Sequence, residues 1–580
     1  MSDQQEVASG SATDGRTEPT LGGDGGNVSS DSGPGAPAVA DASGLAARGA
    51  TAALDRTSAA AVRPTIGIAV AVAATALAAT PAAAHVGSLG AVAGSSAVPL
   101  WYVLLAGGAA VGGSFLFTSL LTDHEGVRMV NGWRLPVRLP HSALAGWRRL
   151  LGVTGVAVLV AVVLSGLFGP TDPFVSLAVL VVWAGWWAGY TASTYLLGDT
   201  WPAANPWRTL AGWGTRVRAG LTGSQPGREP AEPDGGAADA VRVPLVGEIA
   251  VDPARWGAWP SVVGLLALVY VEVTTPLAED PRLLAGVVLA YTVATVVGAV
   301  ALGPAVWFGS IDPVSRVFRW YGRIAPFGRL GDDVTGDPSD DASEPEPASA
   351  GGSGVDPERD SAPGTAGLEL RLPGAGLTRL GAPARDETAF VVALLWATTY
   401  DGLVSTPAWN DLARPVVSAG VPGLVVYAVL LVGGFGAFLA VYRLAARNAR
   451  TWADTYVTAD YLERWFVPSL VPIAAGYHLA HFSSYFLTLS PALAGVLANP
   501  LSPPAPVFVV VPGWFDTIQL LVVLLGHVLA VWVAHAVALD IFPGRLRPVR
   551  SQYPLIVVMV VYTTTSLWIV AQPYVAPVGL

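Results

Sequence analysis

Ten separate runs of roughly 18–25 mostly apolar residues follow one another along the chain, each long enough to cross a bilayer as a helix. They fall near 98–122, 150–169, 173–197, 256–276, 281–303, 386–403, 419–442, 465–489, 512–541 and 553–572. Peptide groups in hydrocarbon find no water to bond, so such runs satisfy their own backbone as helices. The predicted fold class is therefore all-α: a polytopic integral membrane helix bundle with about ten transmembrane helices, preceded by an N-terminal signal or anchor helix.

Composition agrees with a bilayer as the principal partner. Of 580 residues, 52% are hydrophobic and 13% charged, against about a quarter charged in a soluble domain. The 20 Trp suit membrane interfaces. With no Cys, disulfides and thiolate metal sites are excluded. All 32 basic residues are Arg, and the net charge is -10. The acidic residues crowd into a tail ending near Arg56 and into the stretch 331–364, both rich in Gly, Ser, Pro and Asp. Neither can build a core, so both are expected to be disordered. The acidic balance argues against nucleic acid as a partner. This Lys-free, acidic composition resembles that of haloarchaeal proteins.

The expected organisation is a disordered acidic tail (1–62), a signal peptide or anchor helix (63–84), a first membrane half with spans one to five (85–328), an acidic cytoplasmic linker (329–385) and a second membrane half with spans six to ten (386–580). Orientation follows from Arg. Arg128, Arg134, Arg138, Arg148 and Arg149 separate spans one and two, and Arg208, Arg216 and Arg218 follow span three. Arg316, Arg319, Arg323 and Arg329 follow span five. Arg443, Arg447, Arg450 and Arg464 follow span seven, and Arg545, Arg547 and Arg550 follow span nine. If ten spans alternate, all these loops share the inner side. The opposite loops hold only Arg282 and Arg414. Both mature ends are then outside the cell membrane and the acidic linker is cytoplasmic.

Before the first span, TIGIAVAVAATALAATPAAA (65–84) has Arg63 ahead of it and Ala82-Ala83-Ala84 at its end, the charge, apolar run and small-residue site of a signal peptide. The polar tail is long for the segment preceding such a peptide, and a translation start near Val62 would account for it. An uncleaved anchor helix with the tail inside is the alternative. In either case His85 lies outside. If cleavage follows Ala84, the free amine and imidazole of His85 together can chelate Cu(II).

The titratable groups within the spans are few. Span eight carries His478 and His481 one helical turn apart. Span nine carries His527 near mid-depth and His535 two turns on. His481 and His527 are expected at similar depth on consecutive antiparallel helices. Span four places Glu272 toward the outer side, and span six ends in Tyr400-Asp401-Gly402. Imidazoles and carboxylates facing inward are the ingredients of a metal site with N and O ligands, such as Cu or Zn, of a bis-His haem, or of a proton relay. An intramembrane His can equally be a hydrogen-bonded packing residue, Glu272 a helix-pairing group, and Asp401 a solvated turn residue. His124 and His141, among the Arg of the first inner loop, are expected to be solvated. The runs GDTWPAANPWRTL (198–210) and DPVSRVFRWYGRIAPF (312–327) read as interfacial helices. No GxGxxG, GxxxxGK[ST], HExxH or GxSxG motif occurs in its required context, which leaves no nucleotide-binding domain in this chain.

GDTWPAANPWRTL, ATTYDGLVSTPAW (397–409), SLVPIAAGYHLAHFSSY (469–485), GHVLAVWVAHAVAL (526–539) and RSQYPLIVVMVVYT (550–563) resemble, in this order, segments of a family of polytopic prokaryotic membrane proteins labelled fenitrothion hydrolase-like. The resemblance covers most of residues 85–575 apart from the acidic linker. Its pattern matches Asp401, His481, His527 and His535 and an acid like Glu272, and it departs at His478, where relatives carry an aliphatic residue. It also implies a mature start at Ala-His, as at Ala84-His85. The label implies a membrane-bound hydrolase, with water activated by a His-bound metal at the outer leaflet.

Four functions remain open on the sequence. The first is transition-metal (copper-like) or haem binding at His481, His527, His535, Asp401 and Glu272 with His85, alongside a metal or redox partner on the outer face. The second is a secondary transporter or proton-coupled permease, whose five-plus-five spans have the parity of inverted repeats. The others are the hydrolase and an assembly subunit. N-terminal sequencing of the native protein is expected to start at Ala84 or His85; a mature chain that retains Met1 rules out cleavage.

Overall fold

The structure, a computed structural model, describes residues 100–222, 241–243, 247–251, 256–329 and 365–580. The tail 1–62, the segment 63–84, His85 and the acidic stretch 331–364 lie outside the described residues.

The described chain is mainly helical. Helix α1 (Leu100–Ser119) turns sharply into α2 (His124–Gly132), the bend being 114°. Asp123 makes the corner, its carboxylate accepting from the Glu125 N–H and capping α2. Strand β1 (Arg134–Pro140) leads into α3 (His141–Phe168). A continuous helical rod follows: α4 (Leu177–Leu180), a π-helical stretch (Val181–Tyr190) and α5 (Thr191–Leu196). Two more helices, α6 (Trp201–Ala204) and α7 (Pro206–Thr222), precede a small hairpin, β2 (Val241–Val243) with β3 (Gly247–Val251).

Helices α8 (Trp259–Thr274) and α9 (Pro281–Leu302) come next, then α10 (Pro304–Val306), a π-helical turn (Trp307–Ile311), α11 (Pro313–Gly322) and β4 (Phe327–Arg329). After the acidic stretch come β5 (Thr365–Arg371), α12 (Ala375–Thr378) and α13 (Arg385–Val404). Helix α13 bends by 78° into α14 (Pro407–Ser418), where Thr406 caps the new helix and Pro407 starts it. The remaining elements are α15 (Gly423–Ala453), α16 (Ala459–Phe466), a 3-10 turn (Val467–Leu470), α17 (Val471–Ala498), α18 (Phe515–Ile541) and α19 (Leu546–Val570).

Among the described residues, five helices are long and apolar enough to cross a membrane: Ser142–Phe168, Pro281–Leu302, Gly423–Ala453, Phe515–Ile541 and Leu546–Val570. Counting each bent pair as one span raises the number to seven. The described chain is thus mostly helical, with several helices of membrane-crossing length and hydropathy. The expected ten spans exceed this count for local reasons. Helix α8 has only 16 residues, the rod Leu177–Leu196 is rewound by its π stretch, and α17 is 28 residues long but studded with His, Ser, Thr and Tyr.

The stretch 365–385 does not belong to a linker, as the sequence boundary at 385 implied. Strand β5 lies at the centre of a three-stranded antiparallel sheet, between β1 and β4. Glu369 on it is fully buried, with Arg134 at 2.9 Å and Arg371 at 3.6 Å. The alternation of Leu368 and Leu370 with these charges gives a strand one polar face and one apolar face.

Contacts between connecting segments fall into two sets. The sheet joins 134–140, 327–329 and 365–371. Arg128 pairs with Asp540 at 2.8 Å, and Arg385 with Asp460 at 2.7 Å. In the second set, the Val575 N–H donates to the Ser405 carbonyl at 2.9 Å and the Tyr427 hydroxyl to the Val578 carbonyl at 3.1 Å. Phe174 meets Phe508 edge to face at 5.2 Å.

Helices α17 and α18 pack closely along their lengths. A Cβ on Gly526 would stand 2.6 Å from the Pro472 carbonyl oxygen, and one on Gly476 would stand 3.0 Å from the Gly526 Cα. Glycine is required there because backbone meets backbone. Gly526→Ala is expected to destabilise the purified protein by about 1–3 kcal/mol through overpacking, seen as a lower Tm in detergent. Gly433→Ala, at a site with open space around it, should leave the Tm level or slightly raised.

Candidate functional site

A cavity of about 200 Å³ lies between the two membrane halves. The first half contributes the π-helical stretch, α7, α8, α9 and α11; the second contributes α13 and α17. Its walls are almost wholly apolar and strongly aromatic, with Trp183, Trp186, Trp187, Trp207, Phe318 and Phe482 among them. Ligand sites are commonly concave and apolar with a few placed polar groups. Here those groups are Glu272, Asp401, Thr398, Tyr477 and His478.

The local backbone explains the aromatic wall. Trp183, Trp186 and Trp187 all sit on the ten-residue π stretch VVWAGWWAGY. π-Helical turns are rare and recur at functional sites, because the widened ladder re-aims side chains. The Trp187 ring meets the His478 ring edge-on at 5.2 Å. At one end of the cavity, α11 is inserted into the bundle rather than lying on an interface. Pro313, Val314, Val317 and Phe318 line the cavity, and Trp201 stacks on Phe318 at 4.7 Å. The runs 198–210 and 312–327, read from sequence as interfacial, therefore carry buried Trp201, Trp207 and Phe318. Asp312 caps α11, accepting from the Ser315 N–H at 3.0 Å and from the Tyr291 hydroxyl. Burial pushes its carboxyl above the ordinary range, and the bonds from Ser315 and Tyr291 offset this in part.

Helix α11 is anchored by a buried charge cluster. Arg316 pairs with Glu387 of α13, donates from Nε to Ser261 of α8 at 3.0 Å, and donates to the Gly309 carbonyl at 2.7 Å. Trp320 Nε1 donates to the other Glu387 oxygen at 2.9 Å. A guanidinium that is 3% exposed needs these partners to offset its desolvation.

Three of the sequence candidates come together here. Asp401 and Glu272 both line the cavity. His481 Nε2 stands 3.5 Å from Asp401 Oδ2, and its ring stacks on Tyr477 at 5.8 Å with 10° between planes. His481 is 28% exposed and Asp401 15%, so the pair runs from the cavity wall toward the surface. The Tyr477 hydroxyl is buried with no hydrogen-bond partner, packed against Gly402 beside Asp401.

His527 and His535 are elsewhere, which corrects the expected convergence of His481 with His527. The Gly476–Gly526 contact sets the register of the antiparallel helices, so His481 faces the level of Leu521. His527 is six residues deeper, about 9 Å along the axis. Its Nδ1 donates to the Val523 carbonyl of its own helix at 2.8 Å. His535 joins three segments. Its Nδ1 accepts from the Gln552 amide at 3.1 Å, so its Nε2–H donates to the Leu121 carbonyl at 2.9 Å. Both nitrogens are thereby used in holding the fold. His478, which departs from the family pattern, does line the cavity and meets the Tyr195 hydroxyl through Nδ1 at 3.1 Å. His124 is not simply solvated: its ring nitrogens lie 2.8 Å from the Leu539 carbonyl and 2.9 Å from that of Gly544. Among the described residues, no group of three or more His, Asp or Glu is placed to hold a metal ion.

Sequence reasoning missed Tyr477 and the tryptophan wall. A signal was present: three Trp within five residues near the middle of an apolar run, away from the span ends that interfacial Trp favour. Comparison with family models, with curated proteins and with solved structures finds no match to this chain.

His535→Ala strips partners from Gln552 and from the Leu121 carbonyl and opens a void. A loss of about 2–4 kcal/mol is expected from those two effects together, measured as a fall in Tm with no change in ligand binding at the cavity.

Proposed function

We propose that this chain is a secondary transporter, a proton-coupled permease that takes a small solute through the cavity between its two membrane halves. One observation carries the reading: Asp401 belongs to the cavity wall and at the same time pairs with the partly exposed His481. A carboxylate at such a junction couples solute occupancy to proton movement. Protons enter at His481 and pass to Asp401. Protonation of Asp401 weakens its hold on His481 and changes the charge that the solute meets. Glu272, across the cavity, is the second acidic group of the same chamber. Ionisable groups inside membrane bundles are costly and serve such pathways.

The position of the cavity supports this reading. Transporters bind solute where two helical halves meet, and this chamber is built from both. The full topology proposed is ten spans with the Arg-rich loops in the cytoplasm and both ends outside the cell membrane. In support, the first set of loop contacts gathers segments that this topology assigns to the cytoplasm, and the second gathers those it assigns to the outside. Helix α11 closes the cytoplasmic end of the chamber in this arrangement.

The test uses full-length protein in liposomes that enclose a pH-sensitive dye. Shape-matched phenylpropyl solutes, one cationic, one neutral and one anionic, are added outside in turn. At least one is expected to drive proton movement with the wild type, and Asp401→Asn is expected to reduce it at least tenfold with Tm unchanged. Absence of solute-driven proton movement for all three overturns the reading.

A further inference from the structure

The lining of the cavity is specific enough to name a class of solute, and the step rests on the permease reading for its biological sense though not for its chemistry. Its acidic groups, Glu272 and Asp401, outnumber its arginines, of which there are none among the lining residues. Facing them are four indoles and two phenyl rings. Aromatic faces carry negative electrostatic potential and attract cations, most strongly when both are desolvated, and indole does so best. A neutral hydrocarbon would fill the volume but use neither carboxylate, and an anion, although Trp186, Tyr477 and His478 offer it donors, would meet two like charges and no arginine.

A further polar atom narrows the class. The Tyr477 side chain is 2% exposed, and its hydroxyl has no hydrogen-bond partner. Buried hydroxyls are ordinarily bonded, and leaving one unmet is unfavourable. Its oxygen lies beside Gly402, next to Asp401. An ammonium N–H placed near Asp401 has this oxygen as a second acceptor, while the apolar body of the solute lies along Trp183, Trp186 and Trp187.

We infer that the cavity binds protonated lipophilic amines, with Glu272 and Asp401 as counter-charges, Tyr477 as acceptor of an ammonium N–H and the tryptophan wall as the cation-attracting surface. The volume of about 200 Å³ fits one aryl group on a short chain.

The experiment is equilibrium dialysis with purified full-length protein in detergent, using 3-phenylpropylammonium, 3-phenylpropanol and 3-phenylpropionate. The ammonium ion is expected to bind at least tenfold more tightly than the alcohol, and the carboxylate not to bind measurably. Glu272→Gln should weaken the ammonium at least tenfold and leave the alcohol unchanged. Tyr477→Phe should weaken the ammonium about threefold with Tm level or raised. Equal binding of ammonium and alcohol, or full ammonium affinity in a folded Glu272→Gln variant, overturns the assignment. The assay needs no membrane and no proton gradient. Tight ammonium binding without proton movement in liposomes therefore sinks the permease reading alone, while proton movement driven only by the alcohol or the carboxylate sinks the amine assignment alone.

Discussion

Hydrocarbon offers a peptide group nothing to bond with, and every large feature of this molecule follows from that constraint. Backbone within the bilayer is kept helical, so the strands of the described chain are confined to segments between apolar helices. At the two sharp bends between helices the sequence supplies a side-chain cap. Asp123 caps the corner after α1, and Thr406 caps the one after α13. The two π-helical stretches are a milder version of the same bargain, since they rewind the ladder without opening it.

The same scarcity of polar partners gives the interior charges their meaning. Arg316 and Glu387 are held by each other and by Ser261, Gly309 and Trp320. That cluster is saturated, and its role is to fix α11 under the cavity. Asp401 is different. It lies between His481 and the aromatic chamber, whose wall it helps to form.

Much of the architecture was legible in the sequence. The apolar runs located the long helices, because length and hydropathy are what a bilayer selects, but α3, α15, α17 and α19 each extend past their runs at one end by about two turns or more. The site was legible only in part. Asp401, His481 and Glu272 stood out because ionisable groups in lipid are rare. His527 and His535 stood out for the same reason, and the structure gives them separate posts. Spacing along one helix says nothing of register against the next. That register is set by Gly476 meeting Gly526, a contact between two residues with no side chain to advertise it. Strand β5 was hidden for another reason: it adjoins a low-complexity stretch, and its partners lie more than 200 and about 40 residues away in the chain.

Strand β5 also bears on how the polypeptide is divided. It is the first described element after the acidic stretch, and it is hydrogen-bonded along its length to β1 and over its second half to β4, both from the earlier half. A peptide bond cut anywhere in 331–364 would leave that union intact. The covalent joint is thus redundant with a non-covalent one. Two separately translated fragments, split at the acidic stretch, would each carry one side of that shared sheet.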